Sequence, residues 1–271
     1  MKCYKFTSVI LAASILFFAS EAMAARFIVS YEAEAPGIQN STATFSMGGV
    51  ETFDQIPAQT YPQKIIADFG TSGAKITGTY RAGNGNGIQI NTADQYGAAD
   101  GKGNYIVAFQ KDPYSLTLAA KGGVNYFGFW LSALDRGNFV TFYGSNGKVL
   151  FNFDPQDVLN AVNGAATPSL YYGNPNPSFK GQDSSEPFVF LNFFDTTGSF
   201  SKVEFSEVGF GGGYESDNHT VGRYLTYGQG TVVPLKFSTS VPEVSTWAMM
   251  LIGFGLIGFV GSSRARLARM V

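Results

Sequence analysis

The chain of 271 residues is poor in charge (14%), rich in aromatic residues (15%) and glycine (33 copies), and has one cysteine. Of its formal charge of −2, Lys2, Lys5 and Glu21 give +1 and the stretch from Val241 onward +2 (Arg264, Arg266 and Arg269 against Glu243), which leaves about −5 for the body. Binders of phosphate backbones need a basic face, and no Lys/Arg cluster occurs between Ala25 and Val241, so nucleic acid is excluded as a partner.

The first predicted element is a targeting segment. Lys2 and Lys5 precede an almost wholly apolar run from Phe6 to Phe18, and Ala22-Met23-Ala24 supplies the small residues that a signal peptidase reads, so cleavage is expected after Ala24. The run is shorter than the roughly 20 residues that a spanning helix needs. Cys3 lies ahead of the run and leaves with it. The mature chain then has no thiol, which excludes disulfide staples, cysteine nucleophiles and cysteine-ligated zinc.

Residues 25–240 read as one all-β domain, an antiparallel, jelly-roll-like β-sandwich. Strand-like runs are "RFIVSYEAEA", "AKITGTY", "NYIVAF", "VNYFGFWL", "PFVFLNFF" and "SKVEFSEVGF", separated by Gly, Asn, Pro, Ser and Asp. "RAGNGNGIQINTADQYGAADGKGNY" reads as a flexible loop or a pair of turns. Neither tandem calcium nonapeptides nor a phosphate loop occurs in it. Phe139 to Tyr143 and Lys148 to Phe153 flank Asn146-Gly147, a dipeptide favoured in hairpin turns. One short helix is predicted in "DPQDVLNAVNG", with Asp154 as N-cap, Pro155 at the first helical position, Asp157 in the first turn and Gly164 at the end. "TPSLYYGNPNPSFKGQDSSEP" is a long loop, its prolines unable to donate ladder hydrogen bonds. "TYGQGTVVPLKFSTSVPE" serves as final strand and tether.

Chemistry within the body is sparse. His219 is the only histidine, so any Ser-His-Asp arrangement requires it; it reads instead as a polar residue in the loop "YESDNHT". Carboxylates offer more. In strands Glu32 and Glu34 share one face, as do Glu215 and Asp217, with Asn218 adding a carbonyl oxygen, and hard oxygen ligands suit calcium. "YEAEA" resembles the early calcium-binding strand of some carbohydrate-binding jelly rolls, which would bring Glu32 or Glu34 near the late acids if the terminal strands pair. The competing reading of these residues is a solvated acidic face.

The last element, residues 241–271, is a sorting tail. Trp247 to Val260 is an uncharged run of 14 residues, about 21 Å as a helix against roughly 30 Å of hydrocarbon. Such a run by itself would suit a buried soluble helix, but its terminal position, its Gly253, Gly255, Gly258 and Gly261, and the single-sign charges after it favour a transmembrane segment. Arg264, Arg266 and Arg269 form a cytoplasmic basic tail that places the body outside the inner membrane.

"PEVSTWAMMLIGFGLIG" followed by arginines resembles the PEP-CTERM sorting signal in its Trp-Ala form, found in Gram-negative bacteria. Pro242 and Glu243 match the start of the Pro-Glu-Pro element, Trp247 and Ala248 the Trp-Ala pair, and Met249, Met250, Gly253, Gly255 and Gly258 the membrane segment. Val244 stands where the family usually has a second proline. "NYFGFWLSALDRGNFVTFYG" and "FLNFFDTTGSFSKVEFSEVGFGGGYESDNHTVG" are similar to segments of the ectodomains that carry such tails. The resemblance implies an exported, non-enzymatic surface or matrix protein. A membrane-embedded exosortase would recognise and process its tail, and its setting would be exopolysaccharide and biofilm. Two other classes stand beside it: a calcium-assisted carbohydrate-binding module, and an exported hydrolase, for which no paired catalytic acids are marked.

Overall fold

The computed structural model describes residues 26–32, 39–69, 75–83, 87–109, 112–209 and 212–236. The signal-cleavage residues Ala22 and Ala24, the candidate ligand Glu34, and the whole tail from Pro242 and Glu243 through Trp247 to Arg269 lie outside the described residues. The chain divides into two units, Met1–Val233 and Pro234–Val271, and the sheets belong to the first.

In chain order the strands are β1 (Phe27–Tyr31), β2 (Thr44–Glu51), β3 (Gln59–Tyr61), β4 (Lys64–Asp68), β5 (Ile76–Ala82), β6 (Ile88–Thr92), β7 (Asn104–Phe109), β8 (Tyr114–Ala120), β9 (Tyr126–Leu131), β10 (Asn138–Tyr143) and β11 (Val149–Phe153). Helix α1 (Pro155–Asn163) follows, then β12 (Val189–Asp195), β13 (Lys202–Glu207), β14 (Gly213–Thr226) and β15 (Thr231–Val232). They form two antiparallel sheets. One runs β15-β1-β12-β9-β14-β7-β6-β3, with β2 also on β14; the other runs β11-β10-β13-β8-β5-β4.

The two sheets enclose an aromatic core. Phe129 stacks on Phe193 at 5.9 Å, Tyr114 on Phe205 at 4.6 Å, and Phe205 on the His219 ring at 5.1 Å. Every residue of β9 and β12 is buried. Phe127, Phe129, Leu191 and Phe193 alternate with a second buried set, in which Trp130 packs with Phe188, Phe190, Ala99 and Ala133. Strands covered on both faces lose polar alternation, which is why "YFGFWL" and "VFLNFF" read as continuous apolar runs. Gly128 has no alternative residue, because a Cβ there would run into the Tyr126 hydroxyl, which crosses above it to donate to Asn192 Oδ1 at 2.7 Å.

The hairpin forms as its sequence predicts, with Val140 opposite Phe153 and Gly147 at φ 75° in the turn. The helix also matches its signals: Asp154 accepts a hydrogen bond from the Gln156 amide at 2.9 Å, and Pro155 begins the first turn. Two readings are corrected. The Gly/Asn-rich stretch read as loop or turns holds a strand, β6, because Ile88 and Ile90 are buried and Gln89 pairs with Val107. The segment "YESDNHT" read as a loop lies within the 14-residue β14.

β14 serves two partners in succession on one side. Residues from Gly213 to Ser216 pair with β7 and those from His219 to Thr226 with β2, while β9 lies along the other side. The register shift falls between Asp217 and Thr220, at Asn218 with φ 49°. Asparagine tolerates this left-handed geometry better than most side chains do.

Candidate functional site

His219 is fully buried between the sheets. Its Nδ1 lies 3.1 Å from the Tyr80 hydroxyl and its Nε2 3.1 Å from Ser216 Oγ, which in turn lies 2.9 Å from the Tyr114 hydroxyl. Burial pushes its pKa down to about 3, so the ring is neutral at physiological pH. A serine and a histidine at hydrogen-bond distance resemble half of a hydrolytic triad, but a nucleophile must be open to its substrate and this pair is enclosed by Phe53, Phe127, Phe129 and Phe205.

The carboxylates first considered for calcium are scattered by the topology. Glu32, at the end of β1, is separated from β14 by β12 and β9. Its oxygens accept from Thr42 N and Oγ1 and from Asn192 Nδ2, all at 3.0 Å. Asp217 accepts from the amides of Ala99 and Asn218, both at 2.7 Å, and Asn218 Nδ2 donates to the Gln39 carbonyl at 2.9 Å. These bonds clasp three loops over the outer face of the larger sheet, with Gln39 reaching Asn176 Oδ1 at 2.8 Å and Asn176 reaching the Ala98 carbonyl at 3.2 Å. Glu215 and Asp217 do share a face, as strand alternation requires. Among the described residues no group of three or more His, Cys, Asp or Glu is placed to hold a metal ion.

A different acidic gathering lies where β9 ends, β12 and β14 begin and β13 stops. Burial, reinforced by the hydrogen bond and charge of Asp183, raises Glu186 to about 8; burial and the charge of Asp135 raise Glu207 to about 7; burial raises Glu215 to about 8. Glu207 keeps one hydrogen bond, from Asn138 Nδ2 at 2.9 Å. Its other oxygen, like the Tyr214 hydroxyl, is buried without a partner.

The opposite end carries an open cleft of about 720 Å³, lined by Lys75 and Lys121 and the hydroxyls of Thr77, Ser145, Ser199 and Ser201. It is built where β5 begins, β8 ends, the β10–β11 turn projects and the loop from β12 to β13 crosses. Sequence reasoning missed these residues. No local pattern joins them, and only the strand order brings positions 75, 121, 145 and 199 together. A third surface is aromatic: Tyr224 and Tyr227 lie 5.1 Å apart, each about 5 Å edge-on to Phe194, with the hydroxyls of Thr44 and Thr226 2.9 Å apart beside them.

Fold and surfaces together define a two-sheet antiparallel β domain whose histidine is sealed inside and whose open chemistry is a basic cleft and a tyrosine platform. No family model matches the chain, and no curated protein matches it. Among solved structures it is similar to the K2 cleaved adhesin domain of Lys-gingipain, with 12% identity and a TM-score of 0.35 over 64% of this chain and 98% of that one.

Proposed function

We propose that the chain is an exported, non-enzymatic surface or extracellular-matrix protein, released or transferred by an exosortase that reads its PEP-CTERM tail, and that it works among exopolysaccharides of a Gram-negative biofilm. One observation carries this reading: Pro242-Glu243, Trp247-Ala248, the glycine-bearing apolar run and Arg264, Arg266 and Arg269 follow one another in the order of that signal, in a chain whose residues 2–24 have the pattern of a signal segment. Enclosure of His219 in the core fits a non-catalytic body. The test is the intact mass and location of the mature protein in cells with and without the processing enzyme. The expected result is a tail-less form beyond the inner membrane when the enzyme is present and a full-length, membrane-bound form when it is absent. Identical masses and a cytosolic location in both would overturn it.

A second reading, a carbohydrate-binding module, is favoured by the tyrosine platform. Tyr227 is 44% exposed, and rings of this kind next to hydroxyl groups stack on sugar faces. Binding of the purified protein on a glycan array, weakened by Tyr227→Ala, supports it. Calcium assistance would add a rise in melting temperature that chelator removes and Asp217→Ala abolishes.

A further inference from the structure

We infer that the cleft at the Lys75–Lys121 end is a binding site for an anionic saccharide segment. The inference rests on the proposed matrix role for its setting, and on the cleft itself for its chemistry. Its volume of about 720 Å³ lies within the range of roughly 300–1,000 Å³ typical of small-ligand sites. Val124 and Phe200, both buried, form part of an apolar floor. Above that floor stand two ammonium groups and four hydroxyls, a set that matches a ligand bearing both negative charge and many hydroxyl groups.

Charge distribution points the same way. The body as a whole is negative, yet this end gathers cations, with the Arg223 guanidinium lying against Gly122 beside Lys121. Lys121 makes no ion pair with a described residue. Lys75 is held by Asp68 at 2.9 Å, but its side chain is 69% exposed and that of Asp68 56%. An exposed pair of this kind contributes little and exchanges easily for another anion. Asp68 therefore acts as an internal competitor for the ligand.

The test uses full-length protein in detergent with three polymers: a polyuronate, sulfated dextran and neutral dextran. Binding to either charged polymer, and none to neutral dextran, is expected, and which of the two binds more tightly tells carboxylate from sulfate as the source of charge. Lys75→Gln and Lys121→Gln should each weaken binding by about tenfold at low salt, one lost charge-assisted contact. Asp68→Asn should tighten it. Lysine variants that bind as the parent does, or equal binding of neutral dextran, would overturn the proposal. Both lysines are exposed, so unchanged melting temperatures will show that loss of binding is not loss of fold. Processing of the tail is read by mass and location, so failure here leaves the sorting proposal standing, and the reverse holds too.

Discussion

At the end of the sandwich where β9 begins, carboxylates meet cations. Asp195, fully buried, takes a bidentate pair of bonds from Arg26 at 3.2 and 2.7 Å, Glu204 lies 3.0 Å from Lys202, and Asp68 holds Lys75. At the other end Asp135, Asp183, Glu186, Glu207 and Glu215 gather without an ion pair to any described residue. In the first group Asp195 is buried while the other two pairs are partly or largely exposed; in the second, burial and neighbouring carboxylates favour the protonated forms of Glu186, Glu207 and Glu215. One scaffold thus pairs carboxylates with cations at one end and, among the described residues, leaves them without ion pairs at the other.

The sharpest way to break the contrast is Asp195→Ala. It strands the Arg26 guanidinium and removes the acceptor for the Thr197 and Gly198 amides, so a loss of about 3 kcal/mol is expected in urea unfolding at neutral pH. A loss below about 1 kcal/mol would show that the pairing at this end is not structural.

Next in size is the pH profile. Between pH 4.5 and 8 the folded chain keeps protons on Glu186, Glu207 and Glu215 that the unfolded chain has released. Their stabilising share is therefore complete below pH 4.5 and is lost as the pH rises through 7 to 8. His219 acts with opposite sign: unfolded imidazole takes up a proton near 6.5 that the folded core refuses down to about 3, so its share is complete above 6.5 and falls as the pH drops. Stability should peak near about pH 5 and decline by roughly 1–2 kcal/mol toward pH 8 after allowance for solvent screening. A profile that is flat from pH 5 to 8 contradicts the picture of the acidic end.

Glu207→Gln sharpens it further, since glutamine keeps an oxygen for Asn138 Nδ2 without the charge. It should leave stability at pH 5 nearly unchanged and raise it by about 1 kcal/mol at pH 8. The smallest effect belongs to Lys202→Ala. Its half-buried pair with Glu204, and its position 3.7 Å above the Tyr143 ring, predict a loss of about 0.5 kcal/mol that fades with added salt.

Local signals made part of this fold legible. Asn146-Gly147 needs only its own backbone to turn, and Asp154-Pro155 caps a helix with atoms two residues away. β6 and β14 were not legible, because Gly, Asn, Ser and Asp rank low in strand propensity and become strand only through pairing with β7, β9 and β2. His219 looked like loop for the same reason: its partner Tyr80 lies 139 positions away. The cleft is the extreme case, since its lysines and serines come from four separate segments.

The chain of hydroxyls and imidazole from Tyr80 through His219 and Ser216 to Tyr114 ties β14 of one sheet to β5 and β8 of the other. Phenylalanine rings grip strongly but tolerate many offsets, whereas these donors and acceptors meet in one alignment only. A slip of the sheets by a single pleat would strand several polar atoms in oil. The lone imidazole of the body thereby works as an alignment pin, which gives a domain without disulfide staples one way to keep a soft aromatic interior from settling into more than one packing.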